Sequence, residues 1–130
     1  MTVGISSATI NSWLNAWGRN QSYTQPAAFW VKLHTGDPGL VGANNAAGNT
    51  TRKQATFSAA SGGSMTTSAD LAWTSVSTTE TYSHISFWDS SSAGTFLGSD
   101  DLATPRAVNQ NDNFTISAGN LTVAVTPISA

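Results

Sequence analysis

Only one segment of this chain carries a helical pattern, and that restricts its fold more than any other feature. Parallel strands must be joined by crossover connections, usually helices. Here a single helical stripe stands near the N-terminus, followed by about seven short alternating segments separated by turn signals. An antiparallel arrangement is what remains, and the reading is mainly β: an antiparallel β-sandwich with one N-terminal α-helix. The 130 residues suit one domain, 1–130, made of a helical segment over 1–25 and a β-sandwich over 26–130.

In the helical segment, Ser6 or Ser7 can serve as N-cap, because a hydroxyl accepts from an otherwise orphaned backbone N–H. Ile10, Trp13, Leu14 and Trp17 then fall at i, i+3, i+4 and i+7, one apolar stripe of a 3.6-residue period, and Gly18 reads as the stop. The stripe needs a partner surface if the helix is to form. The expectation is that it packs on the domain's own sheet; the alternative is that part of it docks on another subunit.

Period two takes over after Pro26. Phe29, Val31 and Leu33 alternate with Trp30, Lys32 and His34 before the turn at Gly36-Asp37-Pro38-Gly39. Leu40 to Thr51 has no periodicity and reads as a long loop; such loops often contact partners. Strands are expected over Arg52–Ala59 and Leu71–Val76, with a small-residue loop over Ala60–Ser68 between them. The strongest strand is Thr81–Asp89, with Tyr82, His84, Ser86 and Trp88 on one side and Ile85 and Phe87 on the other. Ser90–Gly94 should turn it back into Thr95–Gly98. Asp100–Asn113 is polar with Pro105 as a breaker. Phe114–Ile116 and Leu121–Val125, joined at Gly119-Asn120, should form a second hairpin.

Composition decides against several functions. There is no cysteine, which excludes disulfides and zinc–thiolate sites, so packing alone must stabilise the core. Charged residues make up 9% of the chain, against roughly 25% in ordinary domains. The 18 Ser, 18 Thr and 10 Asn solvate the surface instead. Low charge weakens repulsion between copies and suits close assembly. A net charge of −2 leaves no basic footprint for nucleic acid. No stretch approaches the ~20 apolar residues of a membrane span. The first residues lack the basic and apolar regions of a signal peptide, so synthesis in a cytoplasm is expected. Both chain ends are expected to be held in place, by the domain or by a neighbour.

The ionisable residues form no convincing reactive set, and no enzyme activity is expected. His34 and His84 could pair with one of many serines, but no Gly-x-Ser-x-Gly elbow surrounds any of them. Glu80 is the only glutamate, and most aspartates stand where Asp closes turns. Asp100, Asp101 and Asp112 offer oxygen ligands but lack the spacing of a calcium loop, and no metal or cofactor is expected. The five tryptophans read as core or interface anchors, with stacking on sugars as the alternative.

Three stretches belong together: Phe29–Gly39 followed by an Asn/Ala loop and Thr51-Arg52-Lys53-Gln54; Thr79–Asp89; and Gly94–Gly98. They resemble a family of small virion proteins of actinobacterial tailed phages, whose members are labelled tail-fibre, minor tail or minor capsid proteins. The resemblance covers about residues 28 to 118 of this sequence. It implies a β-sandwich virion component, on the outer surface of the particle, without catalytic residues.

Heptads, collagen-like repeats and a second domain are all missing, so nothing here could build a shaft by itself. The expectation is therefore a capsid decoration protein that binds the phage major capsid protein in many copies and stabilises the shell. The alternative is a minor tail or tail-fibre protein that binds tail proteins, with a host-surface carbohydrate as a possible ligand. A homo-oligomer or other multi-copy assembly is expected in either case. The candidate partner-binding residues are Val3 and Ile5 in the N-terminal segment and Leu40, Val41, Asn44 and Asn45 in the long loop, two uncharged stretches that one core cannot readily use.

Overall fold

In the computed structural model, residues 3–125 are described. The elements are β1 (Gly4–Ile5), α1 (Ser7–Gly18), β2 (Phe29–His34), β3 (Lys53–Ala55), β4 (Ser64–Thr66), β5 (Leu71–Trp73), β6 (Glu80–Trp88), β7 (Phe96–Val108), β8 (Phe114–Ile116) and β9 (Thr122–Ala124). Five strands form the main sheet in the order β1-β7-β6-β2-β3, and two further ladders pair β4 with β9 and β5 with β8. Every pairing is antiparallel. The architecture is mainly β with one helix, sandwich-like and without barrel closure.

The core lies between one face of the main sheet and the β5–β8 ladder. Val31, Leu33, Ile85 and Phe87 come from the sheet, and Leu71, Trp73, Phe114 and Ile116 come from the ladder. Trp73 meets the Phe114 ring at 5.7 Å between centroids, and its Nε1–H donates to the Thr51 carbonyl at 2.8 Å. The indole thus buries its whole surface without stranding its one donor.

The alternation of β2 and β6 is as expected, and the two strands pair from Trp30↔Trp88 to His34↔His84. The hairpin from β6 to β7 also forms, closed where Asp89 Oδ1 accepts the Thr95 N–H at 2.7 Å.

Several expectations are corrected. Among the described residues there are nine strands where about seven were expected, because β1 and the Ser64–Thr66 strand are too short to leave a periodic signal. Pro105 does not end β7. The register slips between the Tyr82 and His84 positions of β6, which face Arg106 and Asp101, so Pro105 falls in the unpaired stretch and the strand resumes beyond it. At that slip Tyr82 leaves the face expected for it and is buried in the core, its ring 5.1 Å from Phe114. The second hairpin does not exist: the turn at Asn120 forms, but β8 pairs with β5 and β9 with β4. The chain changes ladders across that turn.

Helix α1 begins as expected, with the Ser6 hydroxyl accepting the Thr9 N–H at 3.2 Å. Gly18 is helical, and the left-handed residue beyond the C-cap is Asn20 at φ 53°, a conformation Asn tolerates better than most side chains. The larger correction concerns the apolar stripe. The helix has no buried residue, Leu14 is 55% exposed and Trp17 is 88% exposed. The domain covers the stripe only in part: Ile10 and Trp13 are 39% and 37% exposed, while Leu14 and Trp17 stand open. The expectation that both chain ends are held falls on residues 1–2 and 126–130, outside the described residues.

Candidate interaction surface

Ile5 is the pivot of the apolar surface. On one side it lines a groove of about 440 Å³ together with Ile10, Trp13, Leu14, Trp17 and Val125. On the other it lines a smaller pocket of about 250 Å³ with Val3, Leu40 and Phe96. The strand β1 holds it there: Gly4 and Ile5 pair with Ser99 and Gly98, and Ser6 N–H donates to the Leu97 carbonyl at 2.8 Å. Gly98 permits this close approach, since a Cβ there would stand 2.6 Å from the Gly4 carbonyl oxygen. Three of the expected partner-binding residues, Val3, Ile5 and Leu40, therefore meet around one pocket although Leu40 lies more than thirty positions along the sequence from the other two. Leu40 is 79% exposed, and Val41 beside it is also open to solvent.

Asn44 and Asn45 have work inside the loop. The Asn44 N–H donates to the Pro38 carbonyl at 3.0 Å, and the Asn45 side chain donates to the Asp37 carbonyl at 2.9 Å. The Asn45 carbonyl accepts the Thr35 N–H at 2.9 Å, with Asn45 at φ 52°. The loop thus bridges to the edge of β2 near Asn45 and lies over the second face of the main sheet around Gly42, beside Trp88 and Phe96. Gly42 is buried at φ 72°, and a Cβ there would lie 2.4 Å from the Phe96 ring. Gly42→Ala is expected to destabilise the protein by about 2 kcal/mol, combining a left-handed backbone with overpacking. Chemical denaturation checks this, and a change under ~0.5 kcal/mol would mean that the loop yields freely.

Beneath this cover lies a histidine–serine pair. His34 is fully buried: its Nδ1–H donates to the Asn44 carbonyl at 2.8 Å, and its Nε2 accepts from the Ser86 hydroxyl at 2.7 Å. Ser86 accepts in turn from the Trp88 Nε1–H at 2.7 Å. The hydroxyl–imidazole geometry is that of a nucleophile and its base, but a backbone carbonyl stands where an orienting carboxylate would be. Both side chains are 0% exposed, so no substrate reaches the hydroxyl. Burial lowers the His34 pKa, which favours the neutral imidazole, and the Asn44 carbonyl, which can only accept, fixes the proton on Nδ1.

The acidic residues are occupied with backbone. Glu80 accepts the N–H groups of Gly48 and Asn49 through its two oxygens, at 2.8 and 3.2 Å. Asp37 and Asp89 each accept a backbone N–H within the turns expected of them, and Asp112 does so from Asn109, whereas Asp100 and Asp101, also expected to close a turn, lie within β7. Among the described residues, no three His, Asp or Glu side chains come together in a metal-binding group, so Asp100, Asp101 and Asp112 do not converge. The tryptophans divide by role. Trp73 is core, Trp88 lies under the Arg52 guanidinium at 4.3 Å, Trp13 is partly covered, and Trp17 stands open. No helix among the described residues is long and apolar enough to cross a membrane.

A small β-sandwich whose most conspicuous surface is aliphatic and aromatic, and whose polar side chains are spent on its own backbone, has the features of a structural, assembling protein. The comparison with protein families agrees. Residues 4–124 match the family described as podophage GP4 fiber I protein gp80, and the chain belongs to that family. It is a phage virion structural protein. No curated protein matches the chain.

Proposed function

We propose that the chain is a structural subunit of a phage fibre, attached to its neighbours through the apolar surface around Ile5 and α1. The observation that carries this reading is the family match over 4–124, whose description names a fiber. The exposed stripe of α1 supports it, since apolar patches of this kind on small proteins commonly mark interaction sites. The shell-decoration role, first choice on the sequence alone, draws no support from a fiber family. The objection that the chain could build no shaft alone is met if it is one subunit among several. Val3, Ile5, Leu40 and Val41 belong to the proposed contact surface. Asn44 and Asn45 would act indirectly, by shaping the loop that presents Leu40.

Immunogold electron microscopy of particles, with antibody raised against this chain, tests the reading. Label on fibres at one end of the particle is the expected result. Label spread evenly over the shell would restore the decoration role and refute the fibre proposal.

A further inference from the structure

We infer that α1 is a self-association surface, and that its occupant is the α1 stripe of a second copy of this chain. Three observations favour a second copy over an unlike partner. The first is self-complementarity: the patch carries an indole, Trp17, that is 88% exposed and also forms one wall of an apolar groove of about 440 Å³, whose other walls include Ile5, Ile10, Trp13, Leu14 and Val125. A two-fold axis sends each copy's exposed indole into the other's groove, which is the isologous arrangement symmetric dimers use.

The second observation is charge. The helix Ser-Ala-Thr-Ile-Asn-Ser-Trp-Leu-Asn-Ala-Trp-Gly has no ionisable side chain, so two copies meet without like charges opposed, and nothing on the helix selects a partner of opposite sign.

The third is area. The exposed fractions of Ile10, Trp13, Leu14, Trp17 and Val125 amount to roughly 600 Å² of side-chain surface, and two facing copies would bury about 1,200 Å², the lower bound for a specific interface.

The inference rests on the structural-subunit reading for its purpose and not for its test, which uses the isolated full-length chain. Sedimentation equilibrium or light scattering should give a concentration-dependent mass reaching twice the 13.5 kDa of the chain. Trp17→Glu should raise the dimer dissociation constant on the order of 1,000-fold, because each dimer loses two central aromatic anchors. Leu14→Glu should act in the same direction. Gln54→Glu adds the same charge on β3, at the opposite edge of the main sheet, and should leave the mass unchanged. Trp17 is exposed, so at concentrations where the parent is monomeric the thermal midpoint of Trp17→Glu should match it, which separates lost association from lost folding. A monomer at every concentration, or an oligomer indifferent to Trp17 and Leu14, overturns the inference. Neither result would bear on where gold label falls on the particle.

Discussion

Trp73→Ala should unfold this protein at ordinary temperatures, or come close to it. The side chain is 1% exposed and fills the space between the main sheet and the β5–β8 ladder. Removing it leaves a cavity that the surrounding strands cannot fully close, which costs about 3–5 kcal/mol for an aromatic residue. The Thr51 carbonyl also loses its donor. Domains of this size have about 5–15 kcal/mol in total, and there is no disulfide to keep a weakened core together. Denaturant titration measures the loss. Trp17→Ala supplies the contrast, with an expected change in the monomer's stability within ~0.5 kcal/mol. If both tryptophans proved equally costly, the assignment of one to the core and one to the surface would fail.

His34→Ala should cost about 3 kcal/mol, and it should also alter the response to acid. Its imidazole links the Asn44 carbonyl to the Ser86 hydroxyl under the long loop, and truncation leaves both groups buried without that partner. Burial holds the folded pKa of His34 below the ordinary 6.5. Between the two values the unfolded chain takes up a proton that the native protein refuses, so stability declines as pH falls. His34's contribution is complete above 6.5, shrinks below it, and is lost once the pH passes the depressed folded value. Protonation would turn Nε2 from an acceptor into a donor facing Ser86, whose oxygen already accepts from Trp88. Denaturation midpoints measured across this range should slope downward toward acid in the parent and flatten in His34→Ala. Parallel slopes in the two proteins would show that the acid response originates elsewhere.

The parts of this fold that were legible in the sequence are those where a local pattern determines the outcome. Ser6 caps α1 because its hydroxyl lies three residues before a free N–H. The alternation of β2 and β6 is long enough to mark the faces, and the short Asp89–Thr95 turn brings the strands on either side of it together as neighbours. Where the outcome depends on distant chain, the pattern was silent. The turn at Asn120 looks the same whether its flanking strands pair together or, as here, with β4 and β5. Amphipathicity marked the apolar face of α1 without indicating what, if anything, covers it. Tyr82 changes sides because of a slip involving β7, which β6 alone cannot reveal. At the candidate site, the long loop and the N-terminal segment stand out in the sequence as uncharged stretches that one core cannot readily use, and the structure brings Val3, Ile5 and Leu40 to one pocket. The His34–Ser86 bond joins residues 52 positions apart, and only the pairing of β2 with β6 brings them together.

The outermost strands of the main sheet are its shortest, two residues in β1 and three in β3. Unpaired sheet edges invite another chain to add a strand, the route to fibrillar aggregation, and proteins commonly guard them with charge. A molecule with so few ionisable groups can do little of that beyond Lys53 on β3. Trimming both borders to a few residues leaves those two strands themselves almost no backbone to offer a stranger. Copies crowded together during particle morphogenesis would then meet through side chains, whose fit can be specific, rather than through peptide groups, which any sequence shares.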